Sequence, residues 1–137
     1  MSFELTQKVM FKHCDPAGIV FYPRYFEMIN DCVECFFADV LDWPFEDIHG
    51  QSGVPTAQIN TRFAAPSRHG DKLVLRLKIS AISRRSMTFR LTAHCEEELR
   101  FATEATLVHI NATGRAAPWP ERIAQRLQDL KEPTDAA

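Results

Sequence analysis

At 137 residues, with 45% hydrophobic and 25% charged side chains, the chain has the size and make-up of one folded domain around a single core. Its formal net charge of -2 provides no broad basic surface, which argues against nucleic acid and anionic membrane as partners. No apolar run approaches the roughly 18 residues of a membrane span, and MSFELTQKVMFKH lacks the basic-then-apolar order of a secretory leader, so a cytoplasmic location is expected.

Phe3, Leu5, Val9 and Phe11 mark one face of an alternating segment, read as a strand ending near Lys12. A loop spans 13–22. From Pro23 the spacing changes to three and four. Tyr25, Phe26, Met28, Ile29, Cys32, Val33, Phe36, Phe37, Val40 and Leu41 form a wide apolar arc, and Arg24, Glu27, Asp31 and Glu34 hold a narrow polar stripe. This is a long helix that fades before Asp42, and a proline suits its first position because the missing N–H would have had no partner there. Gly50, Gly53 and Pro55 mark a loop, and a strand pattern runs from about Ala57 to Ala65 before Pro66 and a turn at Arg68-His69-Gly70-Asp71.

Leu73, Leu75, Leu77, Ile79 and Ala81 then alternate with Lys72, Val74, Arg76, Lys78 and Ser80. Met87, Phe89, Leu91, Ala93 and Cys95 do the same with Thr88, Arg90, Thr92 and His94, and residues 83–86 join the two strands as a hairpin. The face carrying Lys72, Arg76, Lys78 and Arg90 is too polar for a dry core and is expected to meet solvent or a wet interface. A last strand covers about Phe101 to Asn111. The tail, 113–137, has a short amphipathic helix from Glu121 to Lys131, with Ile123, Leu127 and Leu130 on one side. The order of one strand, one long helix, four strands and a minor helix predicts a single α+β domain with its core in about residues 3–112. An antiparallel sheet curling around the long helix would bury both apolar surfaces.

Cys14, Cys32, Cys35 and Cys95 are expected to stay reduced. Cys32-Val33-Glu34-Cys35 has the C-x-x-C spacing, yet it falls inside a helical pattern with no second ligand pair at metal spacing, so it reads as buried thiols and no metal is expected.

The chemistry concentrates in His13-Cys14-Asp15-Pro16-Ala17-Gly18-Ile19-Val20-Phe21-Tyr22-Pro23. Pro16 fixes the backbone after Asp15, Gly18 permits a tight turn or the close approach of a ligand, and Pro23 starts the helix at a defined point. Helix N-terminal amides carry partial positive charge, suited to an oxygen that gathers charge during attack on a thioester, and the same field keeps a nearby carboxylate ionised. Asp15 could attack an acyl carbon or take a proton from water. The same residues also spell an Asx-type turn before a helix. Cys14 is a weaker nucleophile candidate, since the carboxylate beside it disfavours the thiolate. No G-x-S-x-G elbow is present. His13 is a candidate for orienting substrate, and equally a structural histidine. At residues 83–86 the adjacent guanidinium groups of Arg84 and Arg85 could grip phosphate oxygens.

The run from Asp15 to Pro23, followed by Tyr25, resembles the signature of hotdog-fold acyl-CoA thioesterases of the 4-hydroxybenzoyl-CoA type, and the similarity extends over about residues 5–112, including Pro55, Pro66 and Gly70-Asp71. The resemblance implies a sheet wrapped around one long central helix. It implies Asp15 as nucleophile or base and the amide at Tyr22 as the group that polarises the thioester carbonyl. It implies that Tyr25, Trp43, Pro55 and Thr56 shape the acyl or aryl site and that Arg84, Arg85 and Ser86 meet the nucleotide end of CoA; His13 and Gly18 stand as substrate contacts on the loop's own chemistry. Serines at 83 and 86 leave only two cations in that cluster. The expected reaction is hydrolysis of an aryl or short-to-medium acyl-CoA without metal or redox cofactor. The expected assembly is a homotetramer, a dimer of dimers with active sites at subunit boundaries. The alternative is a hotdog protein that binds acyl-CoA or an acyl carrier without hydrolysing it. A hydratase would call for a His/Asp pairing that has no counterpart here.

Overall fold

The computed structural model describes residues 2–131. Five antiparallel strands form the main sheet: β1 (Phe3–Lys8), β3 (Thr56–Phe63), β4 (Lys72–Ile82), β5 (Ser86–Cys95) and β6 (Glu98–Val108), in the order β1-β4-β5-β6-β3. A two-stranded patch pairs β2 (Ser52–Gly53) with β7 (Ile110–Asn111). Helices α1 (Pro23–Asp39), α2 (Phe45–Ile48) and α3 (Glu121–Leu130) complete the described fold.

The alternation in β4 and β5 puts Leu73, Leu75, Leu77, Ile79, Met87, Phe89, Leu91 and Ala93 on one buried face. The 3.6-residue period of α1 presents Tyr25, Met28, Ile29, Cys32, Val33, Phe36 and Phe37 to the same core. Each large side chain so buried contributes about 1.5–3 kcal/mol, which makes this interface the main source of stability. Yet α1 is not a lone central helix. Ile48 of α2 and Ile123, Leu127 and Leu130 of α3 enter the same cluster. Arg122 of α3 donates to the carbonyls of Leu41 (2.9 Å) and Asp42 (3.1 Å), and Arg126 donates to that of Val40 (3.3 Å), so α3 fastens the exit of α1.

Several sequence-based boundaries move. β1 stops at Lys8, and Phe11–His13 form a 3-10 turn that leaves Phe11 80% exposed rather than on the strand's inner face. A register shift between Ile79 and Ala81 turns Ala81 out to solvent and lets Ile82 pack on the core instead, as an extra residue in one strand reverses the alternation beyond it. β6 begins at Glu98, earlier than Phe101, and Ile110–Asn111 separate as β7. α2 and β2 carry no periodic signal, being four and two residues long.

The polar sheet face is uncovered within this chain, with Arg76 paired to Glu4 (2.9 Å) and Arg90 to Glu104 (3.2 Å). β3, like β1, is an edge strand with a single neighbour, here β6, but it differs from every other strand in the main sheet in that most of its residues are exposed even where their ladder partners Ala105, Thr103 and Phe101 are buried. Ile59 and Phe63, on that inner face, remain 41% and 45% exposed beside an open strand edge. No helix among the described residues is long and apolar enough to cross a membrane.

Candidate active site

The Asp15 loop closes on itself. Gly18 N–H donates to the Asp15 carbonyl (2.9 Å), Ala17 N–H to Asp15 Oδ1 (2.9 Å), and Asp15 N–H to the Ile19 carbonyl (3.0 Å). Gly18 sits at φ +83°, and a Cβ there would meet nothing within 4 Å, so glycine is required by backbone conformation and not by space. The Asx turn read from the sequence is therefore present, and it engages only Oδ1. Among the described residues Asp15 Oδ2 has no hydrogen-bond partner, on a side chain that is half-buried.

Both arms of the loop are pinned. Phe21 N–H donates to the His13 carbonyl (2.9 Å), and Val20 N–H donates to the Ser67 carbonyl (2.8 Å) in the segment ahead of β4. That segment is held by Arg100, whose Nη1 donates to the Pro66 carbonyl (3.1 Å), Ser67 Oγ (3.1 Å) and Asp71 Oδ2 (2.7 Å). The Arg68 amide and the Arg100 guanidinium together hold the Asp71 carboxyl below its ordinary pKa.

Tyr22 is the N-cap of α1, and Pro23 follows at the first position without an N–H. The amides of Arg24 and Tyr25 turn back to the carbonyls of Phe21 (2.8 Å) and Tyr22 (3.1 Å), whereas among the described residues the Tyr22 N–H donates to nothing. An unengaged amide at a helix N-terminus and an unengaged carboxylate oxygen thus share one clamped loop. Tyr25 is buried and packs against Phe63 (5.7 Å between ring centroids) and Phe101 (4.8 Å). A hollow of about 560 Å³ adjoins them, lined by Ile19, Val20, Tyr22, Tyr25, Phe63 and Pro66 among others.

His13 does not face that hollow's lining. It is 5% exposed, and its Nδ1 accepts the Met10 N–H (2.8 Å), so this nitrogen carries no proton. Burial, with Lys12 nearby, lowers its pKa and keeps the ring neutral.

Pro55 and Thr56 belong to a different hollow, of about 720 Å³, between α1 and the sheet. Its walls are mainly apolar, with Phe26, Ile29, Val33, Phe45 and Phe89. Asn30, His49 and Ser52, which the sequence did not single out, add polar groups. Asn30 was discernible as a polar residue three positions after Glu27, at the edge of the apolar arc; His49 and Ser52 lie in a loop without periodic signal. Trp43 is not part of this lining; its ring is tilted between Phe37 (6.3 Å) and His109 (6.0 Å).

Arg84 and Arg85 are exposed at the tip between β4 and β5, and Ser86 opens β5. The Val108 N–H, in the ladder position opposite Ser86, donates to the Pro55 carbonyl (3.0 Å), which ties this tip to the 720 Å³ hollow. The candidate residues therefore form two groups. Tyr22 and Tyr25 line the hollow at the Phe63 end of β3, Asp15 and Gly18 sit on the loop leading to it through Ile19 and Val20 without lining either hollow, and Pro55, Thr56 and the arginine tip lie at the Thr56 end. Those ends are separated by roughly 23 Å at about 3.3 Å per strand residue. Among the described residues no cluster of His, Cys, Asp or Glu is placed to hold a metal ion, and the Cys32 thiol is buried in α1 with its pKa pushed up to about 12.

A family model described as "Thioesterase-like superfamily" matches residues 9–127. The 4-hydroxybenzoyl-CoA thioesterase of a Pseudomonas species is 27% identical over 92 residues, a match that spans 65% of this chain and 65% of that protein, just under two thirds of each. A 1,4-dihydroxy-2-naphthoyl-CoA thioesterase from Synechocystis superposes with a TM-score of 0.86 at 22% identity, over 97% of this chain and all of that one. A Staphylococcus aureus protein solved in complex with CoA gives 0.89 at 20% identity, over 100% of this chain and 89% of that one. At such identities the structural likeness is one of fold.

Proposed function

The chain belongs to the thioesterase-like superfamily, and from that premise we propose that it hydrolyses an acyl-CoA thioester, with Asp15 as the catalytic carboxylate and the Tyr22 amide as the oxyanion donor. The observation that carries this reading is the pair of unengaged groups on one loop, Asp15 Oδ2 and the Tyr22 N–H. A thioester carbonyl oxygen that accepts the Tyr22 N–H becomes more electrophilic at carbon, and the charge developed on attack falls at the positive end of α1. Asp15 then either attacks the acyl carbon, expelling the CoA thiolate to leave a mixed anhydride that water opens, or removes a proton from an attacking water.

The acyl group suits the 720 Å³ hollow, whose size and apolar walls fit an aryl or short-to-medium acyl chain. Aryl-CoA substrates are also named for the Pseudomonas and Synechocystis relatives. The nucleotide end of CoA goes to Arg84, Arg85 and Ser86. One protomer keeps these parts apart along β3, so the complete site calls for a second copy. Antiparallel pairing of two β3 edges would bring the Phe63 end of one protomer beside the Thr56 end of its partner and cover Ile59 and Phe63. We take the assembly to be a homotetramer built from such dimers, with each sheet curling around α1 as its central helix. Its four free cysteines accord with a cytoplasmic location.

Release of free thiol from benzoyl-, hydroxybenzoyl-, phenylacetyl- and straight-chain acyl-CoA tests the reading. Turnover by the wild type that falls about 10²–10⁴-fold in Asp15→Asn supports it, since the amide can still accept the Ala17 N–H while losing base and nucleophile. Binding of acyl-CoA with no turnover would identify a non-catalytic binder instead.

A further inference from the structure

We propose that Trp119, in the segment between β7 and α3, is a positioning residue that holds the Arg84-Arg85 tip ready for the nucleotide end of CoA. The inference rests on the reading above that this tip receives the nucleotide.

Three consecutive carbonyls of the tip are bound from outside the hairpin. The Trp119 N–H donates to the Arg84 carbonyl (3.1 Å), the His109 N–H to the Arg85 carbonyl (2.8 Å), and the indole Nε1–H of Trp119 to the Ser86 carbonyl (3.2 Å). Trp119 is only 5% exposed. Its ring lies 5.3 Å from that of His109, which is fixed at both nitrogens: Nδ1 is 2.8 Å from the Ala117 carbonyl and Nε2 is 3.0 Å from Ser52 Oγ. Within the hairpin, Ser83 N–H donates to the Ser86 carbonyl (2.9 Å) and the two serine hydroxyls meet at 2.6 Å.

Hairpin tips are ordinarily the looser parts of a sheet, and two long arginine side chains lose considerable freedom when they grip an anion. A tip whose backbone is already fixed spares the part of that cost belonging to the main chain, so the arginines bind phosphate more tightly than the same pair on a frayed turn. The backbone carbonyls are consumed by the clamp, and both guanidinium groups stay exposed. The clamp bonds only to the backbone of the tip and, among the described residues, makes no hydrogen bond to Asp15 or Tyr22, so its effect should be confined to binding.

The test compares Trp119→Phe with the wild type on two substrates, the CoA thioester and the pantetheine thioester of the same acyl group. Phenylalanine keeps an aromatic ring beside His109 and removes the Nε1–H. The expected result is a KM for the CoA thioester raised roughly three- to tenfold, the effect of one hydrogen bond and some lost order, with kcat unchanged and with kcat/KM for the pantetheine thioester unchanged. Equal losses on both substrates, as from misfolding, would overturn the inference, and so would no change on either. Arg84→Ala/Arg85→Ala, run alongside, separates the two readings. If it lacks the CoA-specific effect, the tip does not receive the nucleotide and the inference falls with that assignment. If it shows the effect and Trp119→Phe does not, the inference alone falls. Should the wild type turn over nothing, calorimetric titration of the same proteins with CoA and with pantetheine reads the same contrast.

Discussion

The Asp15 loop and the Arg84-Arg85 tip both carry charged side chains on a tight turn, but they are held in opposite ways. The Asp15 loop is closed by its own residues, with hydrogen bonds between Asp15, Ala17, Gly18 and Ile19. The tip has its serine clasp, but its carbonyls are taken by His109 and Trp119, more than twenty residues further along the chain. A loop that must hold a reacting carboxylate gains from determinants that form with the turn itself. A tip that meets a flexible nucleotide can instead be stiffened late, when the C-terminal segment docks.

The contrast is not absolute, because the Asp15 loop also leans on a distant support: Ser67, kept in place by Arg100. Arg100→Met should be the most destabilising of the substitutions that probe this contrast, lowering the unfolding free energy by about 2–4 kcal/mol in urea titrations, since it strands the Asp71 carboxylate and frees Ser67 from a side chain that is only 12% exposed. If kcat falls at temperatures where the variant is still folded, the self-closed loop depends on its outer seat. An unchanged kcat would show that local closure suffices.

Gly18→Ala tests the local side. Its Cβ would clash with nothing, so the whole penalty is that of a non-glycine residue at φ +83°, about 1–2 kcal/mol. The expected outcome is a lower Tm with kcat reduced on CoA and pantetheine thioesters alike, the opposite pattern to Trp119→Phe. A CoA-specific effect here would erase the distinction between the two turns.

This division explains what could be read from the sequence. The helix and the two central strands announced themselves through period, and the Asp15 loop through Pro16, Gly18 and Pro23, because in each the determinants lie within a few residues of what they shape. The exposed inner face of β3 was invisible, since Ile59 and Phe63 have the residue types of a covered strand and nothing in their spacing says that cover is missing. The same holds for the outward turn of Ala81 past the register shift, for α2, and for the roles of His109 and Trp119, each a tertiary event with no local pattern. The sequence offers His13 both as a substrate contact and as a structural histidine, and its Nδ1 ties the 3-10 turn to Met10.

That placement gives a pH dependence. The neutral ring accepts the Met10 N–H, and its pKa in the folded chain lies below 6.5 through burial and the nearby Lys12 and Arg24, opposed by Glu27 and Asp31. As pH falls through 6.5 the unfolded chain takes up the proton first, so the stabilisation is complete above that pH and declines across the window below it, levelling off under the folded-state value. Urea midpoints between pH 7.5 and pH 5 should fall for the wild type. They should change less for His13→Asn, whose amide oxygen can accept the same N–H without titrating. Asp71 contributes its own decline only at lower pH, below 3.8, since its carboxyl is held down rather than up. A slope equal in both proteins over pH 5–7.5 would move the effect to other groups.

The smallest effect is the most telling for the two turns. Ser83→Ala removes the hydroxyl that meets Ser86 Oγ at 2.6 Å and accepts the Ser86 N–H at 3.1 Å, both exposed, so the loss in stability should stay below about 1 kcal/mol. If the tip is held chiefly by Trp119 and His109, KM for the CoA thioester should barely move in this variant while it rises in Trp119→Phe. If the tip is closed by its own residues, as the Asp15 loop is, the order reverses and Ser83→Ala becomes the more damaging change. Because neither residue touches the Asp15 loop, kcat serves as the internal control for both, and the ratio of the two KM values alone decides whether the hairpin is built locally or from the far end of the chain.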